Sequence, residues 1–148
     1  GLGALEDAQV VIINGKQSLE FEQKILKYNK NLKIFYSNYY SLNSNEFKKK
    51  KLLAVAGIAN PKNFFDLLLK EGLEIKKKMI FPDHYQFKKS EIVNILKYAE
   101  ERNLQILMTE KDHFKIKKFN YNEIKYLKIK LKIDNCEKLI KLISDKYD

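Results

Sequence analysis

Leu52-Leu53-Ala54-Val55-Ala56-Gly57-Ile58-Ala59-Asn60-Pro61 is an apolar run that ends in a glycine and passes at once into an asparagine and a proline. An apolar run without polar alternation reads as a strand covered on both faces, as in a parallel sheet. Asn60 then stands where a capping side chain belongs, and Pro61 at the first helical position, where its missing N–H costs nothing. Phe64, Phe65, Leu68 and Leu69 share the inner face of that helix, and Gly72 supplies a left-handed ending. Strand, turn and helix in this order predict an α/β fold: a mostly parallel sheet with helices packed on it.

The pattern continues on both sides of this stretch. Downstream, Ile75 to Phe81 reads as a strand, Pro82-Asp83-His84 as a turn, and Ser90 as the start of a helix with Ile92, Val93, Leu96 and Ala99 inward. Ile106 to Met108 is another buried strand, followed by a turn or short helix over Lys111 to Phe114. Leu127, Ile129, Leu131 and Ile133 alternate with Lys128, Lys130 and Lys132, which predicts one strand with a wet face near an edge. The last helix is expected from Asp134 or Asn135, with Glu137 closing a capping box and Leu139, Ile140, Leu142 and Ile143 buried. Upstream, Val10 to Ile13 is a strand bounded by Asn14-Gly15, and Ser18 caps a helix whose Phe21, Ile25 and Tyr28 share a face. Leu32 to Tyr36 is a second strand, and Ser37 to Asn45 a polar connection. A boundary is expected near Glu46 to Lys50. It separates residues 1–50, the tail of a sheet whose earlier strands lie elsewhere, from a smaller α/β domain over residues 51–148.

At 148 residues, 45% of them hydrophobic, the chain can bury one sizeable core, or one domain and a piece of another. Its longest apolar run, Leu52 to Ala59, falls far short of the roughly 20 residues a bilayer needs, and no signal peptide is legible. A single cysteine, Cys136, forbids an internal disulfide and fits a reducing compartment. The net charge of +10 raises nucleic acid as a partner, but of 29 basic residues only Arg102 is arginine. Base-edge readout and bidentate phosphate binding favour arginine. Lys48 to Lys51 and Lys76 to Lys78 therefore read first as solvated surface, and second as groups that meet anionic phosphates or lipid headgroups.

Three stretches that follow strands carry the chemistry. His84, beside Asp83 and after a proline-stiffened turn, can be oriented by hydrogen bonding and can move a proton near neutral pH; the plain alternative is a surface histidine next to a turn-forming aspartate. In Thr109-Glu110-Lys111-Asp112, Thr109 can cap a helix, and Glu110 and Asp112 complement its positive end. Lys111 is not explained that way, because a cation in a first turn is mildly unfavourable, and its charge could meet a phosphate. Gly57 allows close backbone approach, and Asn60 opens a helix whose N-terminus attracts anions, although a tight strand-to-helix turn accounts for both. If all three follow parallel strands, they share one edge of the sheet and one crevice.

In this order and spacing, Ala54-Val55-Ala56-Gly57-Ile58-Ala59-Asn60-Pro61, Phe81-Pro82-Asp83-His84-Tyr85 and Met108-Thr109-Glu110-Lys111-Asp112 resemble the C-terminal part of the tetraacyldisaccharide 4'-kinases, which phosphorylate the lipid A precursor. The resemblance is dense from Lys51 to Phe114 and loose elsewhere. It implies that residues 1–50 are the end of a P-loop-type nucleotide-binding domain. It also implies that His84, with Asp83, is catalytic and assists an aspartate of the N-terminal domain, and that Lys111, Thr109 and Glu110 bind substrate or phosphate. Gly57, Asn60, Asn14 and Gly15 would lie near the nucleotide. ATP and Mg²⁺ are the implied cofactors, and no metal ligand is assigned within the chain. The implied partners are the lipid A disaccharide precursor, the N-terminal P-loop domain of the same protein and an anionic membrane surface, at the cytoplasmic face of the inner membrane of a Gram-negative bacterium.

The chain also departs from that family. Its five glycines include none in a G-x-x-x-x-G-K-[ST] frame, and it starts at Gly1 without methionine. It is therefore expected to be a soluble, excised C-terminal fragment that is inactive alone. A small basic module binding nucleic acid or an anionic membrane surface is the competing reading, supported by charge and nine tyrosines but by no ribonucleoprotein or zinc-finger pattern. A standalone hydrolase built on Asp83-His84 lacks an evident nucleophile.

Overall fold

The computed structural model describes residues 2–145. In chain order its strands are β1 (Val10–Asn14), β2 (Lys33–Ser41), β3 (Lys51–Ala56), β4 (Glu74–Ile80), β5 (Gln105–Thr109), β6 (Lys125–Leu127) and β7 (Ile129–Ile133). The helices are α1 (Leu19–Leu26), α2 (Pro61–Lys70), α3 (Lys89–Glu100), α4 (Glu110–Ile116) and α5 (Cys136–Ser144). They form two compact units, one comprising the chain up to Tyr39 and again from Leu131, the other Tyr40–Lys130. The sequence placed its boundary at Lys50; by compactness, residues 40–50 go with the second unit and the segment from Leu131 with the first.

In the second unit the sheet order is β4-β3-β5-β6, and every described pairing is parallel. Leu52, Ala54 and Ala56 of β3 face a core with Phe64, Phe65, Leu67 and Leu68 of α2. Leu53 and Val55 face the opposite core, with Ile92, Ile95 and Ala99 of α3 and Ile116 of α4. Burial on both faces is why β3 tolerates no polar residue from Leu52 to Ala56. Pro61 opens α2 as predicted, and Gly72 turns left-handed with φ 74°. Other expectations were not met. Asn60 sits at the cap of α2 but its side chain makes no capping hydrogen bond. Leu67 rather than Leu69 completes the inner face of α2, and Val93 of α3 is exposed. Glu91 instead reaches back to accept the Lys88 backbone N–H at 2.8 Å, fixing the start of α3.

The first unit holds the sheet β1-β2-β7, with β1 and β2 parallel from Val10↔Lys33 to Asn14↔Ser37. Ser18 caps α1 by accepting the Phe21 N–H at 3.3 Å, as expected. Only Ile25 of the predicted face is buried; Phe21 and Tyr28 are exposed. β2 runs on to Ser41 where a polar connection was expected, because Ser37 is itself buried and its carbonyl accepts the Gly15 N–H at 2.9 Å. In α5 the capping box is absent: Asn135 is left-handed at φ 56°, and of the four expected core residues Ile140 and Ile143 are exposed.

The alternating run from Leu127 to Ile133 is two strands, not one, each at the edge of a different sheet. The break falls at Lys128, whose N–H donates to Asn43 Oδ1 at 2.8 Å and whose carbonyl accepts the Leu42 N–H at 2.9 Å. Asn43 Nδ2 also donates to the Tyr126 carbonyl at 3.1 Å, so one amide side chain takes over the pairing where the strand ends.

Candidate functional site at the strand ends

Register decides where the three marked stretches meet. Ala56 pairs with Ile80, and Val55 with Met108, so the loops that leave β4, β3 and β5 emerge side by side at the carboxyl edge of one parallel sheet. Gly57, Asp83, His84, Thr109, Glu110 and Lys111 all stand at that edge, as does Asn60 at the start of α2. Asn14 and Gly15 end β1 in the other unit, as expected of that boundary, and Gly15 has φ 129°.

The loop after β4 is held by rings. Phe81, Tyr85 and Phe87 pack with centroids 4.9 Å, 4.9 Å and 5.2 Å apart, so that Asp83 and His84 project from between them. Tyr85 donates its hydroxyl to Glu91; that bond and desolvation raise the tyrosine pKa and the same bond lowers the carboxyl's. His84 has φ 58°, a left-handed conformation that costs a non-glycine residue about 1 kcal/mol or more. Asp83 supports it, accepting the His84 backbone N–H at Oδ1 at 2.9 Å. The His84 Nε2 lies 3.6 Å from Asp83 Oδ2, and Lys111 Nζ 3.7 Å from Asp83 Oδ1. One carboxylate thus stands between an exposed imidazole and an exposed ammonium. Such a group can orient a base or an acid, and the ammonium can meet an anion.

Below this exposed trio lies a buried one that sequence reasoning missed. Asp112 is fully buried. Its Oδ2 accepts the Gly57 N–H at 2.7 Å and the Thr109 hydroxyl at 2.8 Å. Its Oδ1 accepts Lys115 Nζ at 2.8 Å, and Lys115 also donates to the Gly57 carbonyl at 3.3 Å. Thr109 caps α4 by accepting the Asp112 N–H at 3.1 Å, so its hydroxyl is engaged inside the protein while Glu110 and Lys111 face solvent. The signal in the sequence is Asp112 three residues before Lys115 on a helix, although Asp112 alone reads as a complement to the helix dipole. The turn packs closely at Gly57, where a Cβ would lie a tight 3.3 Å from Asp112 Oδ1 and 3.4 Å from Phe81 Cβ.

The remaining chemistry is sparse. His113 stacks on Tyr126 at 4.5 Å beside a pocket of about 280 Å³ that also includes Lys117 and Lys125. Burial pushes its pKa down, and Lys125 and Lys117 add to that. Among the described residues no cluster of three His, Cys, Asp or Glu could hold a metal ion. The lysine runs are partly engaged: Lys76 pairs with Glu74 at 2.6 Å, and Lys78 and Lys50 sit over the rings of Phe65 and Phe47.

A family model described as tetraacyldisaccharide-1-P 4'-kinase matches residues 1–148. The chain belongs to that family. It is 34% identical over 145 residues to the tetraacyldisaccharide 4'-kinase of Pelagibacter ubique, a match covering 93% of this chain and 46% of that protein. It is 39% identical over 92 residues to the enzyme of the same name from Rickettsia felis, covering 62% of this chain and 28% of that protein. The chain therefore spans about half the length, or less, of these curated relatives. Among solved structures it resembles the "apo" form LpxK from Aquifex aeolicus in complex with ATP, with a TM-score of 0.54 at 20% identity over 94% of this chain and 52% of that one. At that identity the likeness shows the fold, α/β with a parallel sheet, as the sequence predicted. The 4'-kinase family thus includes a chain whose three marked loops share one strand edge.

Proposed function

We propose that this chain is the C-terminal part of an ATP-dependent kinase that transfers a phosphoryl group to the 4'-hydroxyl of the tetraacyl disaccharide precursor of lipid A, at the cytoplasmic face of the inner membrane. The observation that carries the proposal is the Asp83 carboxylate, set between His84 and Lys111 at the sheet edge of a chain matched to the family along its whole length. Asp83 orients the loop and the imidazole. His84 takes or returns a proton at the acceptor side, and Lys111 offers a point charge to a phosphate. No helix among the described residues is long and apolar enough to cross a membrane, which fits peripheral attachment.

ATP and Mg²⁺ do not fit this chain by itself. No glycine lies in a phosphate-binding frame, and no carboxylate cluster among the described residues holds a metal. Their main ligands are assigned to the N-terminal P-loop domain of the same protein, with Asn14, Gly15, Gly57 and Asn60 lying near the nucleotide at most.

Two measurements test this. The 148-residue chain, given Mg²⁺-ATP and lipid acceptor, is expected to release no more phosphate than a heat-killed control; release above it overturns the fragment reading. In the complete kinase, His84→Ala is expected to lower kcat by about 10²–10⁴-fold with KM for ATP little changed. An unchanged kcat removes His84 from the mechanism.

A further inference from the structure

The peptide unit joining Ala56 to Gly57 has both of its polar groups committed, and to different loops. Its carbonyl accepts the Phe81 N–H at 2.8 Å, at the root of the loop that carries Asp83 and His84. Its N–H donates to Asp112 Oδ2 at 2.7 Å. The second oxygen of Asp112 is taken by Lys115, which also reaches the Gly57 carbonyl. Asp112 itself is fully buried, and no described buried side-chain polar atom lacks a partner.

We infer that Asp112 is the positioning residue for the Asp83–His84 pair, acting through the Ala56–Gly57 peptide unit, with Lys115 as its counter-ion. A carboxylate on that N–H polarises the peptide and strengthens the carbonyl as an acceptor, so the Phe81 bond is tightened from the far side. The same residue sets the first turn of α4, and with it Lys111, which faces Asp83 from the other flank. Asp112 thereby fixes both neighbours of the exposed carboxylate without being exposed itself. Gly57 lines the device: a Cβ there would stand a tight 3.3 Å from Asp112 Oδ1 and in ordinary contact, at 3.5 Å, with the Pro82 carbonyl. The kinetic consequence rests on the kinase reading; the structural one rests on geometry alone.

The test has one arm for each. In the 148-residue chain, amide hydrogen exchange followed by NMR compares wild type with Asp112→Asn, which keeps the shape and removes the charge. The Phe81 amide is expected to accelerate about tenfold more than Ala54 and Leu107 at the sheet centre, which report the global loss of stability. Uniform acceleration, or an unchanged Phe81, overturns the inference. Should Asp112→Asn not fold, the Asp112→Asn/Lys115→Met double variant, which leaves no stranded charge, gives the same local readout, and a folded double variant with unchanged Phe81 exchange overturns it equally. In the complete kinase, Asp112→Asn is expected to lower kcat about 10–100-fold with KM for ATP within about twofold, and the Asp112→Asn/His84→Ala double variant to be no slower than His84→Ala. Multiplying losses overturn the positioning role. If the wild-type complete protein phosphorylates no lipid, the kinase reading fails by itself, and the exchange arm alone decides the role of Asp112.

Discussion

Replacing Lys115 by methionine is the most demanding test of the buried trio. The lysine side chain is 13% exposed and Asp112 0%, and the ion pair between them is 2.8 Å long. Lys115→Met keeps most of the volume and leaves Asp112 charged in the core. Breaking a buried pair in this way costs about 3–5 kcal/mol, because the remaining charge is uncompensated. The slight exposure of the lysine and the two donors still on Asp112 Oδ2 place this case near about 3 kcal/mol. For a unit of the size of residues 40–130, each kcal/mol moves Tm by about 4–8 °C, so a fall of about 12–24 °C is expected by calorimetry. The origin of the loss is separable: adding Asp112→Asn to Lys115→Met removes the stranded charge and should restore part of the stability. A Lys115→Met protein within about 0.5 kcal/mol of wild type would refute the reasoning. So would a double variant whose loss is the sum of the two single losses.

Other predictions concern the exposed layer and the second histidine. His84→Gly relieves a left-handed backbone and should leave Tm unchanged or slightly higher, while kcat of the complete kinase falls as in His84→Ala; a large loss of stability would contradict the strain at φ 58°. Lys111→Ala, exposed and 3.7 Å from its partner, should cost under about 1 kcal/mol in a urea titration, and any effect on the complete kinase should appear with anionic substrate. His113 has its pKa depressed in the folded state by burial, then by Lys125 and Lys117. The unfolded chain therefore binds the proton more readily, so stability is full above about pH 6.5 and is lost as pH falls toward the folded pKa. His113→Gln should flatten that part of the stability–pH curve. Tyr85→Phe should let the Glu91 carboxyl pKa rise toward its ordinary value, read by NMR titration; no movement would remove the hydrogen bond as its cause.

What was legible in the sequence was what one segment decides for itself. β3 announces burial on both faces by having no polar residue, and Pro61 and Gly72 punctuate α2 by their own backbone limits. The shared edge of Gly57, His84 and Lys111 followed from those strands being parallel. Alternation, by contrast, reports faces and not partners. The run from Leu127 to Ile133 shows one pattern, yet it divides at Lys128 because Asn43, 85 residues away in sequence, supplies the bonds that end β6. β2 was cut short for a related reason: Ser37 and Asn38 are polar, but the pairing of β2 with β1 and the Gly15 N–H take up its backbone. Asp112 is visible as a letter, while its burial depends on Gly57 after β3, Thr109 at the end of β5 and Lys115 of α4 converging on it. The aromatic packing of Phe81, Tyr85 and Phe87 was equally hidden, since each ring alone reads as ordinary core.

The all-parallel order of the larger sheet also governs how quickly it can form. Neighbours β3 and β4 are joined through α2, but the central seam pairs Leu52 with Gln105 and has to wait for α3 and β5. No hairpin is available to nucleate it, and pairings between distant residues must close long loops before they gain any energy. During synthesis β3, α2 and β4 leave the ribosome before β5, with the β5 side of β3 still an open edge rich in leucine, valine and alanine. Refolding from urea should accordingly be slow for a chain of this length, and prone to association at high protein concentration until β5 docks.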